Sequence, residues 1–343
     1  MKTSIRDVAK RAGVSISTVS RVINHSGGVK ENKVDAVKEA LAYYNYEPSQ
    51  FGRGLVTGSS RMIGVYSPSS DGSMFEDGYL LECLRGIDNT IHKSAYSLLL
   101  IRERESYGKD LTAKPLFWEY MNQQKIDGLI VLNLSADGRT ESFISAAVSQ
   151  GFPVGYIGKR FLEKGINVYA GFEEYMLDAV GQLYKNGHKK IGLCCAEGKT
   201  KAESEIKSKS EAAFPGVNLF FWEVKQLDTI ESLQKKVTAF LQKEQLTGIV
   251  CSTMDLVMRL QSILGNLGKK IPEDLSVIGV EHLPGKGAQV IPKMNCYYVP
   301  AAKMGEEVAK GVLRRLEEPN YDGKSIVFHP EYIARDSVKC FEE

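Results

Sequence analysis

The feature that most constrains this chain is a repeating alternation beyond residue 61. Apolar runs of four to seven residues follow one another at 62–66, 96–101, 128–132, 153–157, 190–195, 218–224, 247–251 and 275–280. Helical periodicity fills the gaps, near 76–92, 139–150, 173–186, 229–244, 254–267 and 300–316. Short runs buried on both faces and separated by helices predict parallel sheets covered by helices on each side. About 280 residues is large for one doubly wound domain, so two α/β lobes are expected. No apolar run approaches the ~20 residues of a membrane span, and the N-terminus lacks the apolar core of a signal peptide. The reading is a cytoplasmic protein with no membrane partner.

The first sixty residues follow a different pattern. Ser4-Ile5-Arg6-Asp7 has the form of a capping box, a hydroxyl followed three residues later by an acid. Ile5, Val8, Ala9 and Ala12 then recur at helical spacing, predicting a helix over 5–12. Gly13 permits a tight turn. Ser15 is placed to cap a second helix whose apolar stripe is Val19, Val22 and Ile23. A third helix is expected from Val34, Val37, Ala40 and Leu41, ending at Tyr43-Tyr44. Two short helices joined by a glycine turn have the form of a helix-turn-helix.

Charge points the same way. The chain carries a net +2, but residues 1–60 hold nine Lys/Arg against five Asp/Glu, leaving the remainder slightly acidic. A basic end on an acidic body fits a module for a polyanion, although a solvated surface helix would also account for the excess. The six cysteines (83, 194, 195, 251, 296 and 340) form no C-x-x-C pair and read as core thiols. The five histidines are dispersed. No metal and no cofactor are indicated, and no nucleophile–base spacing or phosphate loop points to an enzyme.

The wording of 5–24, Ile-Arg-Asp-Val-Ala-Lys-Arg-Ala-Gly-Val-Ser-Ile-Ser-Thr-Val-Ser-Arg-Val-Ile-Asn, closely resembles the signature of the LacI/GalR family of bacterial transcription regulators. Tyr46-Glu47-Pro48-Ser49, Arg53-Gly54-Leu55 and Ile63-Gly64-Val65 resemble that family's hinge and first core strand. Asp127-Gly128-Leu129-Ile130, Asn186-Gly187-His188, Pro272-Glu273-Asp274-Leu275 and Ala334-Arg335-Asp336-Ser337 extend the likeness more weakly.

The resemblance implies a DNA-binding domain over 1–48, a hinge over 49–60 and a periplasmic-binding-protein-like core over 61–343. Lobe one would hold about 61–160 and 292–321, and lobe two about 161–291 and 322–343, with crossings near 160, 291 and 322. It implies a homodimeric repressor on operator DNA, gated by a small-molecule effector of the sugar or sugar-derivative class and acting in carbohydrate metabolism. A protein co-regulator acting on a degenerate cleft is the alternative. So is a cytoplasmic solute-binding protein whose N-terminal bundle binds no specific DNA.

By the same correspondence Ile16, Ser17 and Arg21 read bases, with Arg21 suited to guanine O6 and N7 and Ile16 to a thymine methyl. Thr3, Ser4, Thr18, Ser20, Asn24 and Tyr46 are candidates for phosphate contacts. Arg53 and Leu55 belong to the minor-groove hinge, Leu55 as the wedge. Gly52 and Gly54 depart from the usual hinge and raise the cost of ordering it as a helix.

In the cleft, Tyr79 matches an aromatic of the family pocket and Asp255 a carboxylate. The expected acid before Leu183 is Gly171, the expected Arg after residue 200 is missing with Lys207 and Lys209 nearest, and the expected Asp is Glu281, followed by His282. Ser67, Ser69, Ser70, Lys159, Arg160 and Trp222 are candidates for the cleft wall. His188, after a glycine at a helix end, reads as part of a C-cap. Lys199 to Lys209 reads as a solvated helix or mobile loop without apolar support. Leu283 to Ala288 lacks phosphate-loop spacing and reads as a loop beside the cleft.

Overall fold

A computed structural model describes residues 3–23, 27–46, 59–68, 75, 77–108, 110–132, 138–158, 161–196, 200–225 and 228–340. Asn24, the hinge residues Gly52, Arg53, Gly54 and Leu55, and Ser69, Ser70, Lys159 and Arg160 lie outside them.

The N-terminal unit is three helices, α1 (Ile5–Ala12), α2 (Ile16–Ile23) and α3 (Glu31–Tyr43). Asp7 Oδ2 accepts from Ser4 N at 2.9 Å and from Ser4 Oγ at 2.7 Å, so the residues expected to cap α1 do meet. Gly13 ends α1 in the left-handed region at φ 62°, a conformation costly for any residue with a Cβ. Val8, Ala9, Val19, Val37 and Ala40 form the buried core, one contribution or more from each helix.

The rest of the described chain runs β1 (Met62–Ser67), α4 (Gly78–Ile91), β2 (Ser97–Arg102), α5 (Leu116–Asn122), β3 (Gly128–Leu132), α6 (Gly138–Ser149), β4 (Val154–Ile157) and β5 (Ile166–Ala170). It continues through α7 (Phe172–Lys185), β6 (Lys190–Ala196), α8 (Thr200–Ala213), β7 (Asn218–Val224), α9 (Ile230–Glu244), β8 (Gly248–Cys251), α10 (Met254–Asn266) and β9 (Ser276–Glu281). It closes with β10 (Asn295–Tyr298), α11 (Ala301–Glu317), β11 (Ser325–Phe328) and β12 (Glu331–Ile333).

The strands form two six-stranded sheets, ordered β11-β5-β4-β3-β1-β2 and β12-β10-β9-β8-β6-β7. Pairing is parallel throughout except for β12, which runs antiparallel to β10. Each sheet starts one strand in from an edge, steps outward once and then winds back the other way, the doubly wound order. The chain order reverses between β1 and β3 in the first sheet and between β6 and β8 in the second. Ligands of such sheets bind outside the carboxyl ends of the strands at that reversal.

The chain leaves the first sheet at Gly171, returns between Tyr298 and Ala301, and leaves again between Phe328 and Glu331. These positions lie roughly seven to eleven residues beyond the expected 160, 291 and 322. The cause is local: β5, β10, β11 and β12 are short and mix polar with apolar residues, so they carry little strand signal. Helix α11 covers β3, β4 and β5 of the first sheet and crosses α4. One apolar cluster joins Ile63, Val65 and Ile130 of the first sheet to Ile191, Leu193 and Val250 of the second.

The lysine- and glutamate-rich stretch near 200 is helix α8, and it does have apolar support. Ala202, Ile206 and Ser210 recur every four residues and are buried. Five of the six cysteines are buried and Cys340 is exposed. The thiol of Cys251, hydrogen bonded to Cys194 and buried, is pushed up, and burial pushes Cys296 up to about 12. Thiols held protonated in this way are poor nucleophiles. Among the described residues no helix is long and apolar enough to cross a membrane.

Candidate functional site

Helix α2 has two unlike faces. At 100° per residue, Val19, Val22 and Ile23 turn inward, Val19 fully buried and the other two against the three-helix core. Ser17 and Arg21, one turn apart, point the opposite way and are exposed. Ile16, 44% exposed, flanks them at the amino end of the helix. The amino end of the helix thus exposes an apolar side chain, and Arg21, in the last turn, adds a cation on the outward face. Arg21 has no acidic partner among the described residues. Such a helix end can enter a major groove with its first turn at base edges.

Ser15 holds that end together. Its Oγ accepts the Thr18 backbone N–H at 3.2 Å, and lies 2.8 Å from Ser17 Oγ and 2.9 Å from Thr18 Oγ1. The cap expected of Ser15 is therefore made, and it carries two side-chain hydroxyls with it. On the neighbouring surface the Arg11 guanidinium lies over the exposed ring of Tyr43, 3.3 Å from its centroid. Thr3, Ser4, Thr18, Ser20 and Tyr46 are at least partly exposed on this unit.

The second site lies where the two sheets present their strand ends to each other. Ser67 ends β1, and Ser252 follows β8, its Oγ accepting from Ala196 N at 2.9 Å. Tyr79, in the first turn of α4, meets His282, just past β9, at 5.0 Å between ring centroids, so this contact spans the lobes. Asp77 caps α4 by accepting from Tyr79 N at 2.8 Å. Behind Tyr79 lie further rings: Phe172 and Tyr175 are 5.5 Å apart, and Tyr175 stacks on Tyr297 at 6.2 Å. Burial raises the hydroxyls of Tyr79 and Tyr175 well above the ordinary tyrosine value. Tyr297 donates to Asp178 Oδ2, and its hydroxyl is also raised, by burial and by that carboxylate.

Several residues expected at the cleft are engaged elsewhere. Trp222 is 6% exposed and stacks on Phe240 of α9 at 4.9 Å, in the second-lobe core rather than in the cleft wall. Strand alternation explains this: Trp222 pairs in register with Cys194, and both side chains face α9 and α10. Glu281 is fully buried, with Gly287 N donating to Oε2 at 2.6 Å and Arg335 Nη2 to Oε1 at 3.1 Å. The loop from Leu283 to Ala288 therefore folds onto this carboxylate. Asp255 is exposed in the first turn of α10 and pairs with Arg259 Nε at 2.8 Å. Lys209 pairs with Glu205 on the outer side of α8.

His188 takes part in the cap of α7 as expected. Its N–H reaches Leu183 O at 3.1 Å and Gly187 N–H reaches Tyr184 O at 3.0 Å, a Schellman arrangement with Gly187 at φ 87°. Sequence reasoning missed Phe172, Tyr175, Asp178 and Tyr297. The spacing of Phe172 and Tyr175 by three on α7 was available, but a helix face of aromatics reads as core until the lobe junction is known.

Residues 4–49 match the family described as bacterial regulatory proteins, lacI family, and residues 180–338 match the periplasmic binding protein-like domain. The HTH-type transcriptional repressor PurR of Vibrio vulnificus (strain CMCP6) is 25% identical over 348 residues, covering 98% of each chain. The repressor of the same name from Proteus mirabilis (strain HI4320) is 26% identical over 362 residues, covering 98% of this chain and 96% of its own. Among solved structures, the lac repressor dimer bound to operator and the anti-inducer ONPF has a TM-score of 0.79 at 18% identity, covering 99% of this chain and all of that one. The transcriptional regulator CelR–cellobiose complex has a TM-score of 0.66 at 19% identity, covering 98% and 99%.

A helix-turn-helix with a cationic, apolar-tipped second helix, attached to a two-lobed periplasmic-binding-protein-like core, defines a DNA-binding transcription regulator. The chain carries the helix-turn-helix domain of the lacI family of bacterial regulatory proteins and a periplasmic binding protein-like domain.

Proposed function

We propose that the chain is a cytoplasmic repressor that binds a near-palindromic operator as a homodimer. The observation that carries this reading is the outward face of α2, where Ser17 and Arg21 stand opposite buried Val19, with Ile16 exposed at the amino end of the same helix. Arg21 reads guanine and Ile16 a thymine methyl, while Thr3, Ser4, Thr18, Ser20, Asn24 and Tyr46 hold phosphates. Arg53 and Leu55 contact the minor groove between the half-sites.

Affinity is set by a small molecule between the lobes, which acts through its preference for one lobe arrangement. The rings of Tyr79, Phe172 and Tyr175 suit the apolar face of a sugar or sugar derivative. The carboxylates that hold an ordinary free hexose in this family are displaced or engaged: Gly171 has none, Asp255 faces Arg259 and Glu281 is held by its own chain. A second reading, a cleft closed on itself and controlled by a protein partner, is supported by the Tyr79–His282 contact across the lobes.

Fluorescence anisotropy with half-site libraries at several salt concentrations tests the DNA reading. Steep weakening as salt rises, together with sequence preference, is expected. Salt-independent or absent binding would leave a solute-binding protein instead. A thermal-shift screen against sugars, sugar phosphates and nucleosides separates an effector from a protein partner. A ligand at 100 times its Kd adds about 2.7 kcal/mol; no shift across the panel favours the closed cleft.

A further inference from the structure

The three hydroxyls at the start of α2 cannot be oriented independently. Ser15 Oγ accepts the Thr18 N–H, and it lies within hydrogen-bond distance of both Ser17 Oγ and Thr18 Oγ1. A hydroxyl has one proton to donate and two lone pairs to accept with. One lone pair of Ser15 holds the Thr18 N–H. Its proton goes to one neighbouring hydroxyl, and its remaining lone pair takes the proton of the other. Only two arrangements satisfy all three bonds. Either Ser17 donates to Ser15 and Ser15 to Thr18, or the relay runs the other way.

We propose that operator DNA selects the first arrangement, so that Ser17 meets the bases as an acceptor only and reads an exocyclic amino group, adenine N6 or cytosine N4. The inference rests on the regulator reading above, with Thr18 at a phosphate and Ser17 at a base edge. A phosphate oxygen only accepts, so Thr18 donates its proton to it. Thr18 can then receive a proton only from Ser15, and Ser15 has a lone pair left for Ser17. With its proton used inside the helix end, Ser17 offers the groove lone pairs alone. Guanine O6 and N7 and thymine O4 are themselves acceptors and gain no bond from it, whereas the amino groups do. Ser15 is thus a positioning residue: it touches no base, but it sets the polarity of the side chain that does.

The test uses the full chain on operators selected from a half-site library, with anisotropy at fixed salt for the wild type, Ser15→Ala and Ser15→Asp. At the base pair facing Ser17, the wild type is expected to prefer the amino-bearing base over its analogue lacking the amino group. The preference should be roughly five- to tenfold, the worth of about one net hydrogen bond. Ser15→Asp keeps a capping acceptor for Thr18 N–H and for Ser17, so the preference survives while overall affinity falls. Ser15→Ala releases the Ser17 hydroxyl to rotate, so the preference is lost while the guanine chosen by Arg21 is retained.

A wild-type preference for an acceptor at that base pair, or an unchanged preference in Ser15→Ala, overturns the polarity and leaves the regulator reading intact. Absence of any sequence-selective, Arg21-dependent binding overturns the regulator reading, and this inference with it.

Discussion

Arg335, from the segment after β12, donates through Nη2 to Glu281 Oε1 at 3.1 Å and through Nη1 to Met294 O at 2.6 Å. The pair is almost wholly out of water, with side-chain exposures of 11% and 0%. It fastens the end of the chain to the loop beside the lobe junction. Removing one member leaves the other charge buried and unpaired, which costs about 3–5 kcal/mol. Arg335→Met is therefore expected to lower the urea midpoint of the core strongly. Glu281→Ala should do the same, so its loss of effector response would report unfolding rather than a missing ligand contact. A Glu281→Ala protein with wild-type stability would show instead that the carboxylate is not structural.

The crossing of α4 and α11 depends on two glycines. A Cβ on Gly305 would lie 2.1 Å from the Cys83 carbonyl oxygen, and one on Gly86 would lie 1.8 Å from the Ala302 carbonyl oxygen. Backbone cannot retreat as a side-chain tip can, so the helices must separate, at about 1–3 kcal/mol. That exceeds the gain of up to about 1 kcal/mol from alanine's helix propensity. Gly305→Ala should lower Tm. Gly265→Ala in α10, where a Cβ meets nothing within 4 Å, should leave Tm unchanged or raise it. Equal melting of the two variants would refute the close-packed crossing.

The parts legible in the sequence are those set by periodicity. Val8, Ala9, Val19 and Val37 announced three packed helices, and runs such as Leu129-Ile130-Val131-Leu132 announced buried parallel strands. Ile166-Asn167-Val168-Tyr169-Ala170 did not, because Asn167 breaks the apolar run. Its place is explained only by tertiary bonds, its Oδ1 accepting from Leu162 N and its amide donating to Leu162 O. Helix α8 was misread because its buried face is small: Ala202 and Ser210 look like surface residues until the second lobe covers them. Trp222 and Glu281 show the same limit at the cleft. Residue type indicated what each could bind, but strand facing and a partner 54 residues distant decided what each does bind.

His188 predicts a pH dependence. Burial lowers its pKa from 6.5, outweighing the backbone contact between Nε2 and Lys339 O at 3.1 Å. The folded state thus resists protonation while the unfolded chain accepts it near 6.5. Where the unfolded state binds more protons, stability rises with pH. The contribution of neutral His188 is therefore complete above 6.5 and is lost as pH falls through 6.5 toward the lowered folded value. His188→Gln keeps a donor for Lys339 O without a titrating group. Between pH 7.5 and 5.5 the urea midpoint of the wild type should fall further than that of His188→Gln; parallel profiles would exclude His188 as the cause.

Arg21 and Ile16 give the last prediction, because their two contacts fail differently. A guanidinium bonded to guanine O6 and N7 contributes about 1–3 kcal/mol of discrimination, so Arg21→Ala should weaken the preferred operator by that amount and equalise the four bases at one pair. Ile16, 44% exposed, offers only apolar contact. Ile16→Ala should weaken binding to an operator carrying thymine at its position, with little change when uracil replaces thymine, since the lost contact is to the methyl group. Anisotropy on four single-base operator variants, plus the uracil operator, separates the two effects. If Arg21→Ala instead weakened all four operators equally, Arg21 would be holding phosphate, and base choice would rest on Ile16 and Ser17 alone.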